Sequence, residues 1–236
     1  MTTLPRRLAA ETVGTALRVA ANVGSGIMAQ RTSTDPGLQL LESAVATGGA
    51  LVALILCFGW LSGAHFNPVV TLCEVLLGGL PRIEGVAYAA VQTFGACVGA
   101  VIANLMVDLP AVTASTHERT GAPLLLSEAV ATFGLVLVIL GVIRSGRPQV
   151  AAFAVGGYIA AAYWFTSSTS FANPAVTIGR TLTDTFAGIA PSSAPPFIAA
   201  QVAGGLLALG FAALAFHEDR GSELVVPHLT AEQETA

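Results

Sequence analysis

Six apolar runs, each close to the ~20 residues that cross a ~30 Å hydrocarbon core, constrain this chain more than any single residue does. They fall at about residues 8–29, 39–61, 84–107, 124–144, 148–168 and 195–217. In lipid each backbone N–H and C=O must find a partner inside the protein, so runs of this length read as helices. Of the 236 residues, 54% are hydrophobic and 10% are charged, where an ordinary soluble domain carries about 25% charged residues. That balance places the chain in a bilayer. It argues against nucleic-acid binding and soluble catalysis: the sequence has no Lys, no basic face, no phosphate loop, no zinc-type spacing and no catalytic constellation. No cofactor and no metal are implied. Cys57, Cys73 and Cys97 lie in apolar segments without a pairing pattern and read as buried free thiols. Arg6 and Arg7 precede a first run that continues past signal-peptide length, so this run is expected to remain as a span.

Two shorter stretches interrupt the pattern: Gly63-Ala64-His65-Phe66-Asn67-Pro68-Val69-Val70-Thr71 and Ser170-Phe171-Ala172-Asn173-Pro174-Ala175-Val176-Thr177. Asn is a strong N-cap and Pro suits the first helical position, so each Asn-Pro pair marks a helix start. The first helix is expected over about 68–77, before Gly78-Gly79-Leu80-Pro81. The second is expected over about 174–186, before Gly188-Ile189-Ala190-Pro191. Either is about half a membrane thickness at 1.5 Å per residue. Broken, half-spanning helices in matching places of two halves point to a site at the bilayer midplane.

The halves also repeat. Ala10-Glu11-Thr12-Val13-Gly14-Thr15 matches Ser127-Glu128-Ala129-Val130-Ala131-Thr132, and Val91-Gln92-Thr93-Phe94-Gly95-Ala96 matches Ala200-Gln201-Val202-Ala203-Gly204-Gly205. Offsets of 117 (Glu11 to Glu128), 106 (Asn67 to Asn173) and 109 (Gln92 to Gln201) keep three landmarks in one order. Repeats over about 8–107 and 124–217 with three spans each enter the membrane from opposite sides, an inverted 3+3 arrangement in one transmembrane domain. With the N-terminus inside, cytoplasmic segments hold six arginines (Arg6, Arg7, Arg82, Arg144, Arg147, Arg220) and external ones three (Arg31, Arg119, Arg180), which puts both termini in the cytoplasm. The tail over 218–236, with Glu218, Asp219, Glu223, Glu232 and Glu234, is polar and points to no function.

On the paired motifs the chain resembles the major intrinsic protein family, the aquaporins and aquaglyceroporins, over about residues 8 to 217. The resemblance implies an all-α membrane fold of six transmembrane helices and two re-entrant half helices. It further implies a homotetramer with one pore per protomer and passive passage of water and small uncharged solutes. Facing helix N-termini repel cations, and the amides of Asn67 and Asn173 can donate to a passing oxygen. Glu11 and Glu128 are buried carboxylates; such groups carry protons in coupled transporters, and a proton-coupled transporter using them is the rival reading. In the family the matching glutamates brace the re-entrant loops instead. His65, beside the first motif, reads as a pore-lining or loop-bracing residue rather than a metal ligand or pH gate.

The family's second constriction maps by counting onto Thr47, Ala161, Ser170 and Val176, with Val176 where an arginine is usual. The first motif also departs from the pattern, with Val69 where alanine is commonest. Four small side chains imply a wider, uncharged filter, unless Phe171 or Trp164 closes the gap. Gly24-Ser25-Gly26-Ile27-Met28-Ala29 and the 181–191 stretch are similar to a bacterial branch associated with arsenic resistance, which implies glycerol or As(OH)3 as cargo and a bacterial inner membrane as location. Arg180, one turn past Val176, has two readings: a positive charge at the vestibule, or an ion pair with Asp184 four residues on. Arg18 lies mid-span and could pair with Glu11, line the pore or face another subunit.

Overall fold

The computed structural model describes residues 2–216; the acidic tail and Arg220 lie outside the described residues. Eight helices follow in order: α1 (Leu4–Thr32), α2 (Pro36–Ser62), α3 (Pro68–Leu76), α4 (Arg82–Met106), α5 (Ala122–Arg144), α6 (Ala151–Phe165), α7 (Pro174–Gly179) and α8 (Ala194–Ala215). Single 3₁₀ turns lead into α6 and α8 and continue α7 through Leu182. Most of these helices carry Pro in the first turn, where a missing N–H costs nothing. Four helices, α2, α4, α5 and α8, are long and apolar enough to cross a membrane. α1 is long enough at 29 residues, but Glu11, Thr15, Arg18 and Asn22 share its buried face and lower its mean hydropathy. α6 is shorter, at 15 residues.

Packing follows the repeat. α1 lies against α4 and α2, α5 lies against α8 and α6, and α2 meets α6. The crossings are close because glycine sits at each. A Cβ on Gly95 would overlap the carbonyl of Thr12, and one on Gly204 would overlap that of Ala129, the same position one repeat later. Gly48 and Gly156 face each other across the α2–α6 crossing in the same way. Without a hydrophobic drive between helices in lipid, backbone approach of this kind supplies the packing.

α3 and α7 come together in the interior. α7 does not extend to 186: Thr183 turns to an extended conformation (φ −137°). The Leu182 carbonyl is taken by the Asn104 amide (3.2 Å) and the Thr113 N–H (3.0 Å), and the Thr183 hydroxyl donates to Asn104 Oδ1 (2.7 Å). With the last carbonyl held from outside, the helix stops there. Before each half helix the chain is irregular and buried, and non-glycine residues take positive φ at equivalent places: Ala64 and Phe66 in one copy, Ser170 and Ala172 in the other.

Candidate pore and filter

The two half helices are capped and locked by the same two side chains. Asn67 Oδ1 accepts the Val69 N–H at 3.0 Å, while its Nδ2 donates to the Ala172 carbonyl at 2.8 Å. Asn173 Oδ1 accepts the N–H groups of Ala175 (2.9 Å) and Val176 (3.2 Å), and its Nδ2 donates to the Phe66 carbonyl at 2.7 Å. Each asparagine therefore bonds the residue before the other. A primary amide has two N–H donors, so each keeps one beyond this lock. Pro68 and Pro174 open the two helices behind the caps.

Glutamates hold the loops in this shape. Glu11 accepts from Ser62 Oγ (2.6 Å), His65 N (3.0 Å), Phe66 N (2.7 Å) and Gln92 Nε2 (2.8 Å). Glu128 accepts from Phe171 N (2.9 Å), Ala172 N (2.9 Å) and Gln201 Nε2 (2.6 Å). Each glutamine also donates to a half-helix threonine, Thr71 at 3.0 Å and Thr177 at 2.9 Å. Both carboxylates are fully buried. His65 Nδ1 lies 3.0 Å from the Thr71 hydroxyl, with its ring against Tyr88.

Two small cavities flank the lock. One, of about 40 Å³, is lined by Arg18, Leu51, His65, Asn67, Ile139 and Ile159 among others. The other, of about 10 Å³, holds three of the four counted filter residues, Thr47, Ser170 and Val176, with Arg18, Asn22, Ile159, Tyr163, Phe171 and Arg180. Arg180 and two aromatic rings line it as well, so the ring is not the uncharged set of four small side chains that counting implied.

Ala161 is not part of it. Buried residues of α6 include Val155, Ile159, Ala162 and Tyr163, while Ala161 is exposed on the face that carries Phe153 and Trp164. Tyr163 occupies the space instead: its hydroxyl lies 3.2 Å from Thr47 Oγ1 and accepts a hydrogen bond from Asn22 Nδ2. Phe171 closes a second side; Trp164 does not reach it.

Arg180 returns a positive charge to the cavity that Val176 leaves neutral. It is 3% exposed, its Nε donates to the Ala187 carbonyl, and its guanidinium lies 3.4 Å from the centre of the Phe171 ring. It makes no ion pair with Asp184. That carboxylate accepts from the N–H (2.8 Å) and hydroxyl (3.0 Å) of Thr116, which hold it below the usual carboxylate range, with His117 at 3.7 Å. Arg18 does not pair with Glu11 either; it donates to the Phe66 carbonyl at 3.1 Å. Val69 packs where a Cβ on Gly205 would stand, so its extra methyl groups fill space behind the lock. Sequence reasoning missed Asn22 and Tyr163, although Glu11, Thr15, Arg18 and Asn22 form a polar stripe at helical spacing.

Opposed half helices joined at their caps, inside a bundle of membrane-length helices, define a membrane channel protein and not an enzyme. Comparison with known proteins places it further. The major intrinsic protein profile matches residues 1–163. Aquaglyceroporin AqpS of Rhizobium meliloti is 51% identical over 206 residues, covering 87% of this chain and 88% of that protein. The probable aquaporin AqpM of Archaeoglobus fulgidus is 32% identical over 216 residues, covering 79% and 87%. The aquaglyceroporin structure from Plasmodium falciparum superposes with a TM-score of 0.73 at 19% identity, over 90% of this chain and 98% of that one, which shows the aquaporin fold. The chain belongs to the major intrinsic protein family.

Proposed function

We propose that the chain is a passive pore for water and small uncharged hydroxylated solutes, of the size and shape of glycerol or As(OH)3. The observation that carries this reading is the interlocked pair Asn67 and Asn173, each with one amide N–H left over, between two cavities that share Arg18 and Ile159. Donors at that point orient a passing oxygen without trapping it. Thr47, Ser170, Val176 and Tyr163 form the filter, and Arg180 supplies its charge. Ser170 Oγ and Asn22 Oδ1 are buried without a partner among the described residues and line the filter cavity, where a solute hydroxyl can meet them. Glu11, Glu128 and His65 hold the re-entrant loops in place. Similarity to a protein named an aquaglyceroporin supports solutes larger than water.

The protomer is one domain of two inverted repeats. It assembles as a homotetramer in a bacterial inner membrane with both termini cytoplasmic, the orientation that the arginine distribution favours. Proton coupling through Glu11 or Glu128 is the weaker reading, because both carboxylates are held by donors that favour the charged form, and at Glu11 four donors leave no lone pair for a proton.

Purified protein in liposomes tests the proposal by stopped flow with water, glycerol, urea and arsenite in parallel. The expected result is flux of low activation energy, without saturation and indifferent to a pH gradient. Uphill solute movement driven by protons would replace the channel with the transporter.

A further inference from the structure

A neutral-solute pore must refuse cations, and the position that usually carries a filter arginine in this fold is Val176. Arg180 sits in the filter cavity but is drawn to one side by the Ala187 carbonyl and the Phe171 ring. Arg18 is placed differently. It is the charged side chain that lines both cavities, so it stands where the two meet, beside the asparagine lock. Its NH1 donates to the Phe66 carbonyl, the same oxygen that Asn173 Nδ2 reaches. It is 5% exposed, and no carboxylate among the described residues lies within ion-pair distance of it. Glu11, two turns earlier on the same face, is occupied by four other donors. A guanidinium has five N–H donors and does not deprotonate in proteins. Such a group, buried in a membrane span with a backbone carbonyl for a partner and no counter-charge, points to a functional site by default.

We infer that Arg18 is a cation barrier of this pore: its guanidinium, shared by the two cavities, adds a fixed positive charge beside the asparagine lock to those of the half-helix N-termini and of Arg180. A cation passing within a few ångströms meets a like charge with little water to screen it, which lowers its passage on the order of a hundredfold. A neutral hydroxylated solute meets spare N–H donors at the same place. Cation exclusion thus has a contribution from α1 that does not depend on the residue at Val176. This rests on the channel reading above.

The test measures proton influx, with a pH-sensitive dye, and water flux in the same liposomes. Arg18→Gln and Arg18→Met are expected to raise proton influx per unit of water flux at least tenfold, while Arg18→Lys stays within about twofold of the parent. Leu17→Ala, on the exposed face of α1, is the control. Neutral variants that conduct water and stay proton-tight overturn the inference. If neither neutral variant reconstitutes, the parent protein decides: methylammonium influx must stay at least tenfold below that of glycerol, and comparable rates overturn it. Loss of water and glycerol flux in the parent would sink the channel reading instead, so the two failures are distinct.

Discussion

Protonating Glu11 would set an O–H against donors from Ser62, His65, Phe66 and Gln92, and Glu128 is enclosed by three donors of its own. Replacement by glutamine does similar damage permanently, since the new NH2 group faces donors where a carboxylate oxygen accepted. Hydrogen bonds to charged groups contribute about 1.5–3 kcal/mol each. Glu11→Gln is therefore expected to lower the unfolding temperature in detergent and to reduce water flux, by the same factor from about pH 5 to 8. A deficit that disappears at low pH would assign Glu11 a titrating role. Val176 tests the filter directly. It lines a cavity that already contains Arg180 and Tyr163, so Val176→Arg narrows the ring further and adds a charge to it. Glycerol and arsenite flux should fall more than tenfold and water flux less; equal loss for all solutes would place the constriction elsewhere.

Helix crossings and loop anchors are properties of elements, and each offers its own test. Gly204 brings α8 onto the Ala129 carbonyl, whereas Gly210, later on the same helix, has open space where a Cβ would stand. Gly204→Val should cost at least the 1–3 kcal/mol typical of overpacking, read as a lower unfolding temperature, while Gly210→Val should change little. The loop over 107–121 is tied to the 181–190 segment by Thr116 on Asp184 and by Arg119 Nε on the Gly188 carbonyl (2.9 Å). Because the Asp184 carboxyl is depressed in the folded protein, its contribution is complete above the ordinary value of about 3.9 and is lost as pH falls through the lower folded value. Protection of the Thr116 amide, measured against the intrinsic exchange rate at the same pH, should be constant at neutral pH and fall only in that acid range; Asp184→Asn should show weaker protection without that acid step. The same elements explain two misreadings. Counting residues back from Asn173 ignores helical phase, and Ala161 falls in register with exposed Phe153, Gly157 and Trp164, whereas Ile159 and Tyr163 share the inner side. Pairing Arg180 with Asp184 assumed that α7 continues for another turn, but Asn104 and Thr113 end it at Leu182.

For the molecule as a whole, the long helices and the start of each half helix were legible because a residue type and a repeat offset pointed to the same places, while the bracing role of Glu11 and Glu128 came from the family resemblance and the end of α7 was misplaced. Contacts between elements distant in sequence were not legible, since no spacing tells which side chain of α1 meets which loop or helix: Arg18 on the Phe66 carbonyl and Asn22 on Tyr163 of α6 come from tertiary packing alone. One departure from symmetry is legible only when the two halves are superimposed. Val69 and Gly205 in the first motif's surroundings correspond, through the 106 and 109 offsets, to Ala175 and Ala96 in the second. A large–small pair stands where the other half has two alanines. A Cβ on Gly205 would overlap Val69 Cγ1, so the valine is tolerated because the facing residue is glycine. Gly205→Ala alone should overpack, at about 1–3 kcal/mol. Val69→Ala alone should leave a cavity, and losses from methyl deletion in cores are of similar size. The double variant reproduces the alanine pair and should recover most of both losses, a coupling that a double-mutant cycle on thermal unfolding reads directly. Additive losses would mean that the two half helices are seated by different rules, and the shared geometry of the halves would then stop at their hydrogen bonds.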